Sequence, residues 1–319
     1  MADKQITPFQ LTDQFTMDNF NQRINETNIA LQSKPNPNLL DNWYFVNPVN
    51  QRGQTSYTGA GYGIDRWITD IDAGGGITIT DNGIVIASAG TYWGTRLDNI
   101  ARLSGKTVTG SVLMSNGTLY SGTIESVKWQ MDAAQIIFSN TDTTFYINKT
   151  GDDKAQVEIS TGRAGVEILA AKLELGSQQT LAHQDADGNW VLNEIPDYGE
   201  QLARCQRYFR RIKAKQVYSS GVMFSFPIVD VGGATWANIN VILSTMMRDA
   251  KPSVSFHGLS VADYVSTQSR GSISDNAERN VIYYTGDTVK LSINTGITLT
   301  DTDAIMMASE GYIDIINDL

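Results

Sequence analysis

The sequence is poor in the residues that most often build catalytic and metal-binding centres. Its 319 residues include one cysteine, Cys205, and two histidines, His183 and His257. A single cysteine excludes a disulfide within one chain and a cysteine-based metal site, and two histidines would leave a zinc site dependent on carboxylates. Neither a GxSxG nucleophile elbow nor a Walker phosphate-binding loop is present. We therefore predict no metal, no cofactor and no catalytic residues.

Positive charge and long apolar runs are scarce as well. The chain has 24 lysines and arginines against 34 aspartates and glutamates, which gives a formal net charge of −10. A nucleic-acid-binding protein needs a basic face to neutralise phosphates, so nucleic acid is not an expected partner. No apolar run has the length of a membrane span, and the N-terminus lacks a signal-peptide pattern. We expect no membrane insertion, and synthesis and folding in a cytoplasm.

The pattern that the chain does have is one of short strands and turns. Its 28 glycines stand with Thr, Ser, Asn and Asp between short apolar runs, as in all-β proteins. Alternating Ile, Val and Thr flank Asp81-Asn82-Gly83, and a similar pattern flanks Asn116-Gly117, so both sites predict β-hairpins. We predict a mostly β protein with two β-sandwich or jelly-roll-type domains, at residues 38–176 and 216–319.

Residues 1–37 differ from the rest and predict a helical segment. Apolar residues repeat there at alternating spacings of three and four, in the order Met17, Phe20, Ile24, Thr27 and Leu31. A helix this short is marginal alone and would gain stability by packing against copies of itself. We take Met17, Phe20, Ile24 and Leu31 as candidate oligomerisation residues. The alternative, a helix that lies on its own β domain, stays open.

Residues 177–215 predict a hairpin followed by a helix that connects the two β domains. Leu202, Cys205, Phe209 and Ile212 repeat at helical spacing, and the nearby arginines fall mostly off that face. The pattern therefore predicts an amphipathic helix with a solvated basic side. Because Cys205 lies on the apolar face, we expect a buried and unreactive thiol.

Pairs of aspartates raise the alternative of a glycoside hydrolase, which uses two carboxylates. Most of the pairs stand beside Gly, Asn or Thr, where aspartate caps its own backbone in turns. Residues 185–189 are similar to a calcium loop, but Trp190 stands where glycine is required and Pro196 where a bidentate glutamate is required. Asp65 and Arg66 are either ligand contacts or a structural ion pair, and we favour the structural interpretation.

Aromatic residues crowd the first β domain, where they are mixed with Asn, Gln, Asp and Arg. An aromatic ring can pack on the apolar face of a sugar while neighbouring polar side chains bond to its hydroxyls. Trp43 and Trp67 lie in strand-like contexts and are predicted core residues. Four others lie in Gly-, Ser- and Thr-rich segments, and we take them as candidate glycan-binding residues, with simple loop packing as the alternative: Tyr57, Tyr62, Tyr92 and Trp93.

Several segments resemble one protein family. One is Asn38–Trp67 (NLLDNWYFVNPVNQRGQTSYTGAGYGIDRW). It resembles the opening of the carbohydrate-binding-module-like domain in tail fibres of phages and prophages of gut Firmicutes. Two further segments resemble the matching parts of those fibres. They are Lys172–Arg211 (KLELGSQQTLAHQDADGNWVLNEIPDYGEQLARCQRYFRR) and the closing GYIDIINDL. The MRDAKP segment, Met247–Pro252, resembles the Met-Arg-x-x-Pro strand end of the family with one extra residue. The likeness runs from Asn38 to Leu319.

The resemblance implies a tail-fibre or receptor-binding protein, usually a homotrimer, that offers no catalytic residues. Its N-terminal segment would join baseplate or tail proteins, and its β domains would contact host cell-surface polysaccharide. The expected location is the virion tail, after assembly in the bacterial host cytoplasm. Loops of the C-terminal domain near Trp236 and Tyr264–Arg270 form an alternative receptor tip. Two other functions stay open, a tail-associated glycan depolymerase and a purely structural baseplate or fibre component.

Overall fold

The computed structural model describes residues 17, 18, 20, 21, 35–70, 75–97, 99–130, 133–151, 154–213, 222–227, 230–233, 235–243, 252–263, 269–284, 288–299 and 303–316. Strands and turns account for most of these residues, so the prediction of a mostly β protein is confirmed. The chain divides into two compact units. The first comprises Met1–Pro48, Gln54–Gly63 and Trp67–Tyr198, and the second comprises Val49–Gly53, Ile64–Arg66 and Gly199–Leu319.

The first unit contains two six-stranded antiparallel sheets and a small hairpin. Its strands are β1 (Ser56–Thr58), β2 (Gly61–Tyr62), β3 (Trp67–Asp70), β4 (Gly76–Thr80), β5 (Gly83–Ile86), β6 (Tyr92–Leu97), β7 (Val108–Met114), β8 (Leu119–Ile124), β9 (Gln135–Ser139), β10 (Thr143–Gly151), β11 (Lys154–Thr161), β12 (Val166–Leu175), β13 (Ala182–Gln184) and β14 (Trp190–Leu192). Sheet 1 has the order β1-β4-β5-β12-β7-β8, and sheet 2 has the order β2-β3-β6-β11-β10-β9. A 3-10 turn spans Ile100–Leu103.

Sheets 1 and 2 pack face to face, which is consistent with a β-sandwich. A Cβ atom added to Gly110 on β7 would lie 2.2 Å from the ring of Phe145 on β10, so glycine is required for this close approach. Aromatic residues fill the layer between the sheets. The Trp67 and Trp93 rings stack with centroids 4.3 Å apart, and Phe45 lies 4.5 Å from Trp93. Trp43 and Trp67 are buried, as predicted.

The predicted hairpins are present where turn residues interrupt the alternating pattern. Asp81 and Asn82 connect β4 to β5, and the second turn connects β7 to β8 through Gly117 at φ +82°. This φ value lies in the left-handed region, where glycine carries no Cβ penalty. The hairpin of β13 and β14 also matches the prediction for residues 177–215.

The connector helix ends earlier than the repeat of Leu202, Cys205, Phe209 and Ile212 predicted. Helix α1 spans Tyr198–Gln206, and Cys205 on it is a buried thiol, as expected. Phe209 and Ile212 lie instead on a strand, β15 (Phe209–Lys213), which pairs with the last strand of the chain. Phe209 and Ile212 are three residues apart, so they fit the helical period. Their backbone N–H and C=O groups instead bond to the last strand, where Phe209 pairs with Ile316 and Ile212 with Ile313.

The second unit also has two antiparallel sheets. Its remaining strands are β16 (Val222–Pro227), β17 (Asp230–Gly233), β18 (Trp236–Ile242), β19 (Ser253–Asp263), β20 (Ser269–Ser272), β21 (Arg279–Tyr284), β22 (Thr288–Asn294) and β23 (Asp303–Ile316). One sheet has the order β15-β23-β19-β20 with β16 also paired to β23, and the other has the order β17-β18-β22-β21. A core of Ile, Val, Leu, Phe, Met and Ala side chains from both sheets is buried, including Ile239, Phe256, Leu291 and Ile313.

Little of the predicted N-terminal helix is described. Met17 and Phe20 are helical, with exposed fractions of 67% and 43%. Ile24 and Leu31 lie outside the described residues, so the oligomerisation face stays a prediction.

Candidate functional site

The two sheets of the first unit differ in what covers their outer faces. Every residue of β7 in sheet 1 is buried, and so is most of β12. On the outer face of β12, Nζ of Lys172 donates to Oγ1 of Thr180 at 2.9 Å, and the Thr180 backbone N–H donates to Glu174 at 2.6 Å. Asn193 donates to the carbonyl of Thr180 at 2.8 Å. The segment that carries Thr180 and Asn193 therefore covers this face at β12, while β1, β4 and β8 of the same sheet keep exposed residues.

The outer face of sheet 2 is open and carries aromatic and polar side chains. Residues that pair across neighbouring antiparallel strands lie on the same face of a sheet. One row crosses all six strands in the order Tyr62, Ile68, Gly94, Glu158, Tyr146 and Ile136. A second row runs through Tyr92, Ser160, Thr144 and Ser139. The inner face carries the buried core residues, because side chains alternate along each strand.

An open groove of about 530 Å³ lies along this face. Its lining residues come from β6, β9, β10 and β11 and from the residue before β9: Tyr92, Ala134, Ile136, Thr144, Tyr146, Asn148, Glu158 and Ser160. The volume is within the range of small-molecule binding sites, roughly 300–1,000 Å³. Aromatic walls with a few polar anchors are the composition that such sites share. The groove is therefore the candidate functional site of the first unit.

Two tyrosines form the aromatic part of the groove. Tyr92 is 41% exposed, and its ring meets that of Tyr146 edge to face, with centroids 6.4 Å apart and planes at 86°. Tyr146 is 8% exposed, so Tyr146 supports the ring of Tyr92 while keeping little surface of its own. Ile136, at 60% exposed, adds an apolar surface beside Tyr146. Together these side chains offer a surface on which the apolar face of a sugar ring can pack.

The polar part of the groove combines amide, carboxylate and hydroxyl groups. Oδ1 of Asn148 is buried and has no hydrogen-bond partner among the described residues. Glu158 adds a carboxylate, and Ser160 and Thr144 add hydroxyls. A buried acceptor without a partner is costly unless a ligand or water supplies a donor. The groove therefore suits a ligand with several hydroxyl groups.

Gly94 lets polar side chains lie close to the backbone of sheet 2. A Cβ atom at Gly94 would lie 2.9 Å from Nε2 of Gln156, from Cγ of Glu158 and from the carbonyl oxygen of Val157. The side chains of Gln156 and Glu158 thus occupy the space above Gly94. This contact fixes where the Glu158 side chain can sit beside the groove.

Of the four residues predicted to bind glycan, two lie on the open outer face of sheet 2 and two are buried in the core. Tyr92 lines the groove, and Tyr62 lies on the same outer face. Trp93 is fully buried in the aromatic core and Tyr57 is 7% exposed, with its hydroxyl accepting a hydrogen bond from the Gln54 backbone at 3.3 Å. Stacking on a sugar needs an accessible ring, so Trp93 and Tyr57 are core residues and not stacking residues. For Tyr62 and Tyr92 the binding role stays a prediction.

Sequence reasoning missed most of the groove. Tyr146, Asn148 and Glu158 alternate with buried core residues on β10 and β11, so alternation within the strands was the available signal. That signal places them on one face but does not show whether the face is covered. Ile136 on β9 is a lone apolar side chain whose exposure nothing in the local sequence indicates.

Asp65 and Arg66 belong to a structural cluster in the second unit. Asp65 is fully buried and accepts hydrogen bonds from Nε2 of Gln51 at 2.5 Å and from Arg52 at 3.4 Å. The guanidinium of Arg66 lies 3.5 Å from the centroid of the Tyr208 ring. Burial raises the pKa of Asp65 from 3.8 to about 6, although the bond from Gln51 and the charge of Arg52 oppose that shift. The burial supports the structural interpretation of both residues.

Arg211, a basic residue after α1, belongs to the same cluster, because it donates to Gln51 and to the carbonyl of Arg52. Arg211 donates to both carboxylate oxygens of Asp314, at 2.7 Å and 2.6 Å, and its guanidinium lies 3.9 Å from the Tyr312 centroid. The expectation of a solvated basic helix side is therefore wrong for Arg211, because this residue lies on β15 and forms a bidentate ion pair.

Residues 185–189 form a hairpin turn and not a calcium loop. One oxygen of Asp185 accepts the backbone N–H groups of Asp187 at 2.9 Å and Asn189 at 2.8 Å. These backbone bonds are the main cause of the lowered pKa of Asp185. Within the described part of the chain, no group of three or more His, Cys, Asp or Glu residues is placed to hold a metal ion.

Comparisons with known proteins leave the family open. No protein-family model and no curated protein matches this sequence. Among the helices that the structure describes, none is long and apolar enough to cross a membrane.

Proposed function

We propose that this chain is a phage tail-fibre or receptor-binding protein that holds host cell-surface polysaccharide non-covalently. The observation that carries the proposal is the open outer face of sheet 2, where Tyr92, Tyr146 and Ile136 stand beside Asn148 and Glu158. The resemblance of residues 38–319 to phage fibres supports the same function. In this proposal the first unit is a jelly-roll module of the carbohydrate-binding type.

The chemistry of the groove favours binding over hydrolysis. Glycoside hydrolysis needs two carboxyl groups on opposite sides of the scissile bond. The residues that line the groove include one carboxylate, Glu158. Its remaining lining residues pack on rings or bond to hydroxyls, which supports adhesion and not depolymerase activity.

The proposal includes a trimer held on the virion tail by the N-terminal segment. Met17 and Phe20 are exposed apolar residues on a helical segment, which supports packing against other copies. Three grooves on one particle would raise the apparent affinity through effective concentration, even where each groove binds weakly. Sedimentation equilibrium is expected to give three times the 35.0 kDa chain mass. A single-chain mass at micromolar concentration would contradict the trimer.

Glycan binding can be tested with the whole chain and a panel of polysaccharides purified from the surfaces of gut Firmicutes. We expect saturable binding to at least one polysaccharide by calorimetry. Tyr92→Ala is expected to weaken that binding about tenfold, or about 1.4 kcal/mol. Tyr198→Ala is the matched control, because Tyr198 is 44% exposed and does not line the groove.

The other functions give different outcomes. Release of new reducing ends from a bound polysaccharide would indicate a depolymerase. The absence of binding to any polysaccharide, together with normal assembly into tails, would indicate a structural component. Equal binding by Tyr92→Ala and Tyr198→Ala would place the glycan site elsewhere.

A further inference from the structure

The second unit has a cleft of its own, which the proposed glycan-binding function does not use. Its volume is about 490 Å³, and it lies where the first residues of β19 approach the start of β21 and the middle of β22. Pro252, Val254, Val281 and Leu291 form apolar walls. Two charged residues, Glu278 and Arg279, line the same cleft.

Arg279 is held rigidly by backbone groups. Its Nε donates to the carbonyl of Val254 at 2.6 Å, and Nη1 donates to the carbonyls of Asp275 at 3.0 Å and Ala277 at 3.1 Å. The guanidinium also lies 5.0 Å from the centroid of the Phe256 ring. These bonds occupy Nε and Nη1, and the charge of Arg279 is also one of the causes that lower the pKa of Asp275. The Nη2 group of this fixed guanidinium can still donate to a carboxylate oxygen of a ligand.

Glu278 determines which kind of carboxylate ligand fits. Its own charge repels a simple anion that approaches Arg279, since both residues line one cleft. A ligand that also carries an ammonium group satisfies both side chains, because the cleft then contains two pairs of opposite charges. The apolar walls require that the rest of the ligand be apolar.

We propose that this cleft binds a small zwitterion with an apolar body, such as an aliphatic α-amino acid. Nη2 of Arg279 binds the carboxylate, Glu278 binds the ammonium group, and the aliphatic side chain packs on Val254 and Ala277, which are only partly buried. The site is independent of the sheet 2 groove in its residues and in its ligand class.

The test compares three ligands of similar shape on the full-length chain. L-leucine carries both charges, 4-methylpentanoate carries the carboxylate alone, and 3-methylbutylamine carries the ammonium group alone. Titration followed by ligand-observed NMR is expected to show saturable binding of leucine. Each singly charged analogue is expected to bind at least about tenfold more weakly, because one charged hydrogen-bonding partner is lost.

Variants connect the binding to the named residues. Glu278→Gln is expected to weaken leucine about tenfold and to leave 4-methylpentanoate unchanged or tighter. Ala277→Leu fills the cleft beside Arg279 without removing a charge, and it is expected to reduce the binding of all three ligands. Arg279→Lys keeps the charge but loses the Nη2 N–H groups, and it is expected to weaken leucine binding in a chain that circular dichroism shows to be folded.

Two results would overturn the proposal. One is no saturable binding of leucine by the folded chain, and the other is equal binding of leucine and 4-methylpentanoate. Because polysaccharide binding by the first unit is measured separately, neither result bears on the glycan-binding proposal.

Discussion

The outer faces of the two sheets in the first unit are built from the same alternating strands, yet they differ in almost every other respect. On sheet 1 the face carries Lys172 and Glu174, both buried, and a following segment supplies Thr180 to bond with them. On sheet 2 the face carries tyrosines and short polar residues, and about 41% of Tyr92 is in contact with solvent.

The difference shows how one region of a sandwich face can be committed to stability while another face stays open to solvent. Buried charges must be paired and hydrogen-bonded, so a face that carries them is committed to its cover. Aromatic and hydroxyl side chains tolerate both water and a ligand, so a face made of them stays available. Four predictions test this comparison.

The largest expected effect separates two adjacent residues on β6. Trp93→Ala should lower the free energy of unfolding of the first unit by about 4 kcal/mol, because it empties a site between Phe45 and Trp67. Tyr92→Ala should change it by less than about 1 kcal/mol, because Tyr92 lies on the open face. Urea denaturation followed by far-UV circular dichroism measures the free energy of unfolding of both variants. Equal losses for the two variants would contradict the assignment of inner and outer faces.

The next effect tests the covered face. Lys172→Met should cost about 3 kcal/mol in the free energy of unfolding, because it leaves Glu174 buried without the cation that lies 3.7 Å away. The double variant Lys172→Met with Glu174→Gln should recover most of that loss, since no buried charge remains and the Gln carbonyl can still accept from the Thr180 N–H. Polysaccharide binding should be unchanged in both. A double variant that is less stable than Lys172→Met would show that the ion pair itself stabilises the face.

Asp65 extends the comparison to a buried carboxylate of the second unit. Its folded pKa of about 6 exceeds the ordinary value of 3.8, so the folded state binds more protons than the unfolded state between these values. Stability should therefore fall as pH rises through this window, by about 2 kcal/mol between pH 4 and pH 7 from Asp65 alone. Asp65→Asn should remove that part of the pH dependence. An identical pH profile in the wild type and Asp65→Asn would show that the pKa is not raised.

The smallest effect concerns the floor of the open face. Gly94→Ala should displace Gln156 and Glu158, whose atoms lie 2.9 Å from the added Cβ position. We expect about a tenfold loss of polysaccharide affinity, equivalent to about 1.4 kcal/mol, because Glu158 leaves its position beside the groove. Glu158→Gln tests the same side chain without the steric change. Full affinity in both variants would exclude Glu158 from the binding surface.

The alternating and turn-forming residues made much of the fold predictable. The hairpins at residues 81–83 and 116–117 follow from local turn chemistry, and Trp43 and Trp67 follow from strand-like neighbours. The helix was predicted too long because Phe209 and Ile212 satisfy the helical period as well as they satisfy a strand. Pairing with β23, more than 90 residues away along the chain, decided between these two structures, and such a distant partner leaves no local signal.

The candidate site was predictable only in part. Tyr92 and Trp93 are neighbours in a glycine- and threonine-rich segment, and nothing local distinguishes a ring that faces the core from one that faces solvent. Since strand residues alternate, one of the two had to be buried once the segment became a strand. The local sequence does not show which of the two faces the core. That depends on the side of sheet 2 against which sheet 1 packs.

By its composition and patterning alone, the sequence determined a mostly β chain with tight hairpins and a single buried thiol. Those properties depend on neighbouring residues, which the sequence displays directly. Tertiary structure decided which face of each sheet is covered, where Phe209 and Ile212 belong and which tyrosines meet in the groove. Each of these depends on pairing between distant strands, and only the folded chain brings those strands together.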